Sequence, residues 1–114
     1  MCIRDRIKAV DALPDDPALH AAMFAYQSDE SISDNIGVAF DVTWGDPDVV
    51  FVSLDHAVHF HRDFRMDEWL FVDQSPVITA RSRGLARAHV WNTSGELVAS
   101  ITQEALLRMP DSAR

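Results

Sequence analysis

The side chains best equipped for chemistry are scattered along the chain: Asp29, Ser53, the histidines His56, His59 and His61, and Gln103. Gln103 is a primary amide in a run whose alternate positions, Leu97, Ala99, Ile101 and Ala105, are all apolar. A buried amide without partners costs about 1–3 kcal/mol. Gln103 therefore needs a backbone group, a side chain, a ligand or a bound water. Ser53 shares a strand side with Val49 and Phe51. No Gly-x-Ser-x-Gly elbow surrounds it, so an exposed hydrolase nucleophile of that kind is not expected. A small packing residue, or a hydroxyl that orients a water, fits better. Asp29 lies at the far end of a helical stretch, where a carboxylate opposes the helix dipole. It is either a solvated member of the acidic run with Glu30 and Asp34, or it is placed there for a purpose.

The three histidines invite a metal reading. On a regular strand His59 and His61 share one face and His56 takes the other. Three ligands do not converge from such a strand, and no Cys or His pair elsewhere completes a set. No metal or other cofactor is expected. Asp55 and His56 are adjacent and so point to opposite faces, which disfavours an acid/base dyad. Asp55 is expected to accept backbone or Arg hydrogen bonds, and His56 and His61 to make structural ones.

Several elements must position these groups. Val49–Arg62 opens as an unbroken apolar run and reads as a central strand buried on both faces, the spine of the domain. Asp16 and Pro17 form a helix start. The spacing predicts a helix from Pro17 to about Ser28, with Leu19, Met23 and Tyr26 lining one face and Ala22 and Phe24 beside it. Ile7–Leu13 has rough strand alternation. Beyond the spine, Glu68–Asp73 reads as a strand, with a bulge or edge position at Ser75-Pro76 before Val77–Ser82 resumes. Arg83-Gly84 reads as a turn, and Leu85–Trp91 as a strand with Ala86, Ala88 and Val90 on one side. Asn92–Gly95 is a hairpin loop, and Glu96–Arg108 the last strand. One helix with an antiparallel meander is an α+β architecture.

At 114 residues the chain fits one domain, expected over residues 7–109 with a tail at 110–114. Met1–Arg6 patterns poorly with the rest of the chain and resembles a translated adapter-like start, so 1–6 is expected to be non-native or disordered. A net charge of −8 argues against nucleic acid as a partner. No apolar stretch approaches the ~20 residues that span a membrane, so no membrane partner is expected. The single Cys2 excludes an internal disulfide, and a reducing cytoplasm is the expected compartment. Residues 1–48 hold three basic and ten acidic side chains, whereas 49–114 hold seven Arg and eight acids. The clusters Arg62/Arg65 and Arg81/Arg83/Arg87 are either solvated surface or seats for the phosphates of an anionic ligand.

Five stretches occur in order: Ser53-Leu54-Asp55-His56 with Phe60-His61-Arg62, then Glu68-Trp69-Leu70, Arg83-Gly84, Gly95–Ser100, and Gln103-Glu104. Together they resemble the acyl-CoA thioesterase II family. Leu13–Pro17 and Ala25–Asp29 look like the same family's second domain. His59 stands where the family usually has a Trp. The resemblance implies a hotdog fold, a long helix wrapped by a curved antiparallel sheet. It implies hydrolysis of acyl-CoA to free acid and coenzyme A, without a covalent acyl-enzyme. By motif position it puts the water-orienting groups on Asp29, Ser53 and Gln103. The family pattern has two tandem hotdog domains and this chain matches the second. The implied partners are the acyl-CoA substrate and either a second copy of the chain or a second hotdog domain. The alternative is a non-catalytic module, or a fragment lacking the first domain. A hotdog hydratase acting on enoyl-CoA would need a close Asp/His dyad, and no His follows Asp29 in its loop.

Overall fold

A computed structural model describes residues 3–110; Met1, Cys2 and the end of the expected tail, 111–114, lie outside the described residues. Five strands form one antiparallel sheet: β1 (Ile3–Ile7), β2 (Val50–Phe60), β3 (Leu70–Ala80), β4 (Arg83–Trp91) and β5 (Leu97–Arg108). Their order across the sheet is β1-β3-β4-β5-β2. Two helices, α1 (Pro17–Ser28) and α2 (Asp34–Val38), lie between β1 and β2 in sequence.

Helix α1 starts as its sequence dictates. Asp16 is extended at the N-cap and accepts from the Ala18 amide, and Pro17 opens the first turn. Its buried stripe, however, is His20, Phe24 and Ser28, spaced by four, and Tyr26 is 85% exposed. Hydropathy misses this stripe because two of its members are polar and satisfied. The His20 ring contacts the Pro14 carbonyl at 2.9 Å and accepts from the Met66 amide at 2.9 Å. Phe24 packs edge-to-face with Phe60 and Phe64, with centroids 6.3 and 5.3 Å away.

The inner face of the sheet follows the expected alternation in its middle. Ala86, Ala88 and Val90 on β4, and Ala99, Ile101, Gln103 and Ala105 on β5, are buried. The expected bulge near Pro76 is present as a register shift between Pro76 and Ile78, but β3 runs through it unbroken. The turn before β4 falls two residues earlier than the expected Arg83-Gly84. Arg81 and Ser82 carry the positive φ angles, 53° and 59°. Gly84 lies within the strand, where a Cβ would come within 2.0 Å of Ile36 Cγ2. Its missing side chain is what lets α2 settle on the sheet.

Two expectations are corrected at the margins of the sheet. The early strand is Ile3–Ile7 rather than 7–13. It pairs with β3 from Ile3 opposite Gln74 to Ile7 opposite Leu70, so residues 3–6 are ordered in the sheet. An edge pairing needs only backbone donors and acceptors, and side-chain alternation is a weak guide to it. The second correction concerns the apolar spine, β2. It is an edge strand paired only with β5 among the described residues. Phe51 is its one buried residue, while Val50, Val52 and Leu54 are 44–49% exposed. The apolar run does not bury both faces in this chain.

Arg65 ties the chain preceding α1 to the segment before β3. It grips Asp67 with two hydrogen bonds of 2.8 Å, also bonds Asp15, and donates to the Leu13 carbonyl. Asp67 in turn accepts from the Leu13 amide at 2.7 Å. The Arg65 guanidinium, helped by that amide, holds the Asp67 carboxyl well below the usual carboxylate range. A depressed carboxylate stabilises the fold above its unfolded pKa, near 4, and loses that contribution as the pH falls toward the folded value. Asp67→Asn should therefore lower the melting temperature at neutral pH, and the gap to the unmodified chain should close as melts are repeated from about pH 5 downward. A gap that stays constant with pH would contradict this role.

Candidate functional site

The site is assembled at the end of α1, where Asp29 is the C-cap with φ −82° and ψ −8°. The carboxylate sits against the negative end of the helix dipole, an unfavourable place without compensation. Compensation comes from β5. Gln103 is fully buried, and its Nε2 donates to Asp29 Oδ1 at 2.9 Å and to Ser53 Oγ at 2.7 Å. The three residues singled out in the sequence thus meet around one amide. Both amide hydrogens of Gln103 are committed. Ser53 accepts from Gln103 and keeps its own hydrogen for donation elsewhere. The second oxygen of Asp29, whose side chain is 58% exposed, faces outward without a protein donor among the described residues.

A fourth group completes the arrangement. His56 Nδ1 lies 2.7 Å from Gln103 Oε1, and His56 Nε2 lies 2.7 Å from Ser28 Oγ. Asp29 Oδ1 is 3.9 Å from the same Nδ1. Sequence reading makes His56 only a structural hydrogen-bonder, on the assumption of regular alternation that puts Asp55 and His56 on opposite faces. The strand is not regular. Ser53 pairs with Ala105 and Asp55 with Glu104, so Leu54 is an extra residue in a β-bulge. The bulge reverses the parity of the rest of β2. His56 then stands opposite Gln103, on the inner face with Ser53, while Asp55 turns out and accepts from the Glu104 amide at 2.9 Å. No local signal in the sequence marks this bulge.

Asp29, Ser53 and His56 line an open cavity of about 590 Å³, with Ala25, Tyr26 and Trp44 as its apolar walls and Glu30 and Asp34 on its acidic rim, while Gln103 lies buried behind them. Burial, with the Glu30 charge second, pushes the Asp34 carboxyl above its ordinary value. The arginine clusters do not reach this cavity. Arg65 is consumed by Asp15 and Asp67, and Arg62 donates to the Leu97 carbonyl and pairs with Glu96. Arg83 and Arg87 alternate with buried Gly84, Ala86 and Ala88, which puts them on the outer face of the sheet. His61 meets Ser100 at 2.9 Å on the outside of the β2–β5 pair.

The family model for acyl-CoA thioesterases matches residues 4–106. The chain belongs to the acyl-CoA thioesterase family. It is 32% identical over 95 residues to acyl-coenzyme A thioesterase 8 of Homo sapiens, covering 82% of this chain and 29% of that protein. The crystal structure of an acyl-CoA thioesterase II from Mycobacterium marinum superposes with a TM-score of 0.83 at 36% identity, covering 97% of this chain and 43% of that one. A DHNA-CoA thioesterase of Staphylococcus aureus shares the fold, with a TM-score of 0.73 at 16% identity and coverage of 99% and 78%. The fold is therefore the α+β hotdog of thioesterases. The chain spans less than a third of the human relative and less than half of the mycobacterial one. Among the described residues no helix is long and apolar enough to cross a membrane.

Proposed function

We propose that this chain hydrolyses acyl-CoA thioesters to free acid and coenzyme A by activating a water at Asp29, Ser53 and Gln103. The observation that carries the reading is the single amide of Gln103, buried and donating to both Asp29 and Ser53. In this scheme Asp29 aligns the water and takes its proton. The water oxygen attacks the thioester carbonyl carbon, and the free Ser53 hydrogen donates toward the charge that develops on the carbonyl oxygen. Collapse of the tetrahedral intermediate expels the coenzyme A thiolate, which recovers a proton from solvent or from Asp29. Gln103 contributes by holding its two neighbours in place. The apolar side of the cavity, with Tyr26 and Trp44, receives the acyl chain.

The same reading includes a partner. β2 presents an open edge and exposed Val50, Val52 and Leu54 to solvent. Such an edge is normally paired or covered, and a second hotdog unit, from another copy or from a first domain, suits it. A reducing, cytoplasmic setting belongs to this reading as well. Hydration of enoyl-CoA is the weaker alternative, because both nitrogens of His56 are engaged even though Asp29 is only 3.9 Å away.

The test is release of free thiol from an acyl-CoA panel by the purified chain, alone and with a separately produced first hotdog domain of a relative. Turnover by the chain alone supports the full proposal, and turnover that requires the added domain supports the fragment version. No turnover under either condition refutes it. Light scattering on the same samples reports whether self-association accompanies activity.

A further inference from the structure

We infer that His56 is a positioning residue of this site, presented by the Leu54 bulge to lock the Gln103 amide and to bind it to the end of α1. For its effect on turnover the inference rests on the thioesterase reading; for the hydrogen bonds it stands on geometry alone.

The orientation of Gln103 is decided by its neighbours. Asp29 Oδ1 is a carboxylate oxygen and accepts only, so the amide nitrogen must face it. The amide oxygen then faces His56 Nδ1 at 2.7 Å, and that nitrogen must carry a hydrogen. His56 is the sole hydrogen-bond partner of Gln103 Oε1 among the described residues. Gln103 has no exposed surface, so water does not substitute for the ring. Without that donor the oxygen is a buried, unsatisfied acceptor, and the amide gains by rotating away from Asp29 and Ser53.

The far side of the ring makes His56 more than a spacer. Its Nε2 lies 2.7 Å from the hydroxyl of Ser28, the last residue of α1, whose one hydrogen is shared between that nitrogen and the Ala25 carbonyl 2.8 Å away. Ser28 immediately precedes Asp29. One imidazole therefore joins the helix end that carries Asp29, the strand that carries Ser53, and the strand that carries Gln103. A group held this way controls reacting geometry through its hydrogen bonds, and errors of about 1 Å in such geometry cost on the order of 10²-fold in rate.

Two amide variants separate positioning from general support of the fold. In His56→Asn the side-chain nitrogen can occupy the place of Nδ1; in His56→Gln it reaches the place of Nε2. Their polarity is the same, so a merely structural histidine would tolerate both equally. His56→Asn is expected to keep kcat within about fivefold of the unmodified chain. His56→Gln and His56→Phe are expected to lose about 10–100-fold in kcat, with KM changed less than about threefold. Equal kcat for the Asn and Gln variants, or an undiminished His56→Phe, overturns the inference. A second measurement does not depend on turnover. In nitrogen-15 NMR spectra the two Gln103 side-chain amide protons should be shifted from free-amide positions and exchange slowly with solvent in the unmodified chain and in His56→Asn, and move toward free-amide positions with faster solvent exchange in His56→Gln and His56→Phe. Unchanged Gln103 signals in all four proteins overturn the inference even where no acyl-CoA is hydrolysed. Absent turnover with the expected NMR pattern would instead refute the thioesterase reading and leave His56 as assigned.

Discussion

Gln103→Ala is expected to lower acyl-CoA turnover by on the order of 10²-fold or more, with folding intact. The substitution removes the amide that donates to Asp29 and Ser53 and is itself held by His56. Asp29 then keeps an unfavourable position at a helix C-terminus with its main donor gone. Ser53 loses the partner that fixes its oxygen. Asp29→Asn should fall by a similar factor for a different reason, since its side chain no longer accepts a proton from water and its amide group competes for Gln103. On the proposed mechanism Asp29, Ser53 and Gln103 act as a unit, so the double variant should be little worse than either single one. Steady-state thiol release by the three variants, under whichever condition activates the unmodified chain, decides this. Wild-type-like hydrolysis by both single variants would remove Asp29 and Gln103 from the mechanism. Multiplicative losses in the double variant would show that they act separately.

Gly84→Ala is expected to be the most damaging single methyl group that can be added to the sheet. A Cβ there falls 2.0 Å from Ile36 Cγ2 and 3.1 Å from its Cβ, and Ile36 is fully buried. The backbone at Gly84 is not in the left-handed region, so the penalty is one of space rather than of torsion. Overpacking of a tight core costs about 1–3 kcal/mol and more where the neighbour cannot yield. Ile36 belongs to the five-residue helix α2, so relief requires moving that helix off β4. Ile36→Ala should cost about 2–5 kcal/mol by itself. In the double variant the two penalties should offset each other, a favourable coupling of about 1–3 kcal/mol measured by denaturant unfolding of all four proteins. Additive losses would mean that the two positions do not meet in solution.

The sequence reads well where the physics is local. Asp16 and Pro17 mark the start of α1 because a cap and a fixed φ act within one turn. The buried faces of β4 and β5 follow from alternation because no bulge interrupts them between Ala86 and Val90, or between Ala99 and Ala105. Gln103 is conspicuous as an amide among apolar neighbours, and it is the hub of the site. The motif positions that resemble a thioesterase bring Asp29 and Ser53 to the same place. The illegible part is non-local. The run Val50–Phe60 has the composition of a central strand, yet composition does not say what covers its second face, and here it is an edge. His56 faces the site only because Leu54 adds one residue to one strand of a pair whose other strand is distant in sequence. The exposed Tyr26 and buried His20 turn the buried face of α1 partly away from the expected one, leaving Leu19 and Met23 half-buried, because a satisfied imidazole packs as readily as an apolar ring.

The sheet order also sets a sequence of assembly. β3, β4 and β5 follow one another through short turns, at Arg81-Ser82 and at Asn92–Glu96, and can zip locally. β2 must instead close a far longer loop to find β5, from Phe60 opposite Ala99 out to Val50 opposite Arg108. The entropy of loop closure rises slowly with length, by roughly 0.6 kcal/mol per doubling, but it must be met before those distant contacts give anything back. Ser53 and His56 ride on that late strand, whereas Gln103 waits on the early one. The cluster of Asp29, Ser53, His56 and Gln103 is thus expected to form after the β3–β4–β5 meander, as is the still longer closure of β1 on β3, from Ile7 opposite Leu70. A partly opened form can retain the β3–β4–β5 meander and most of the spectroscopic signature of a folded sheet while lacking that cluster altogether.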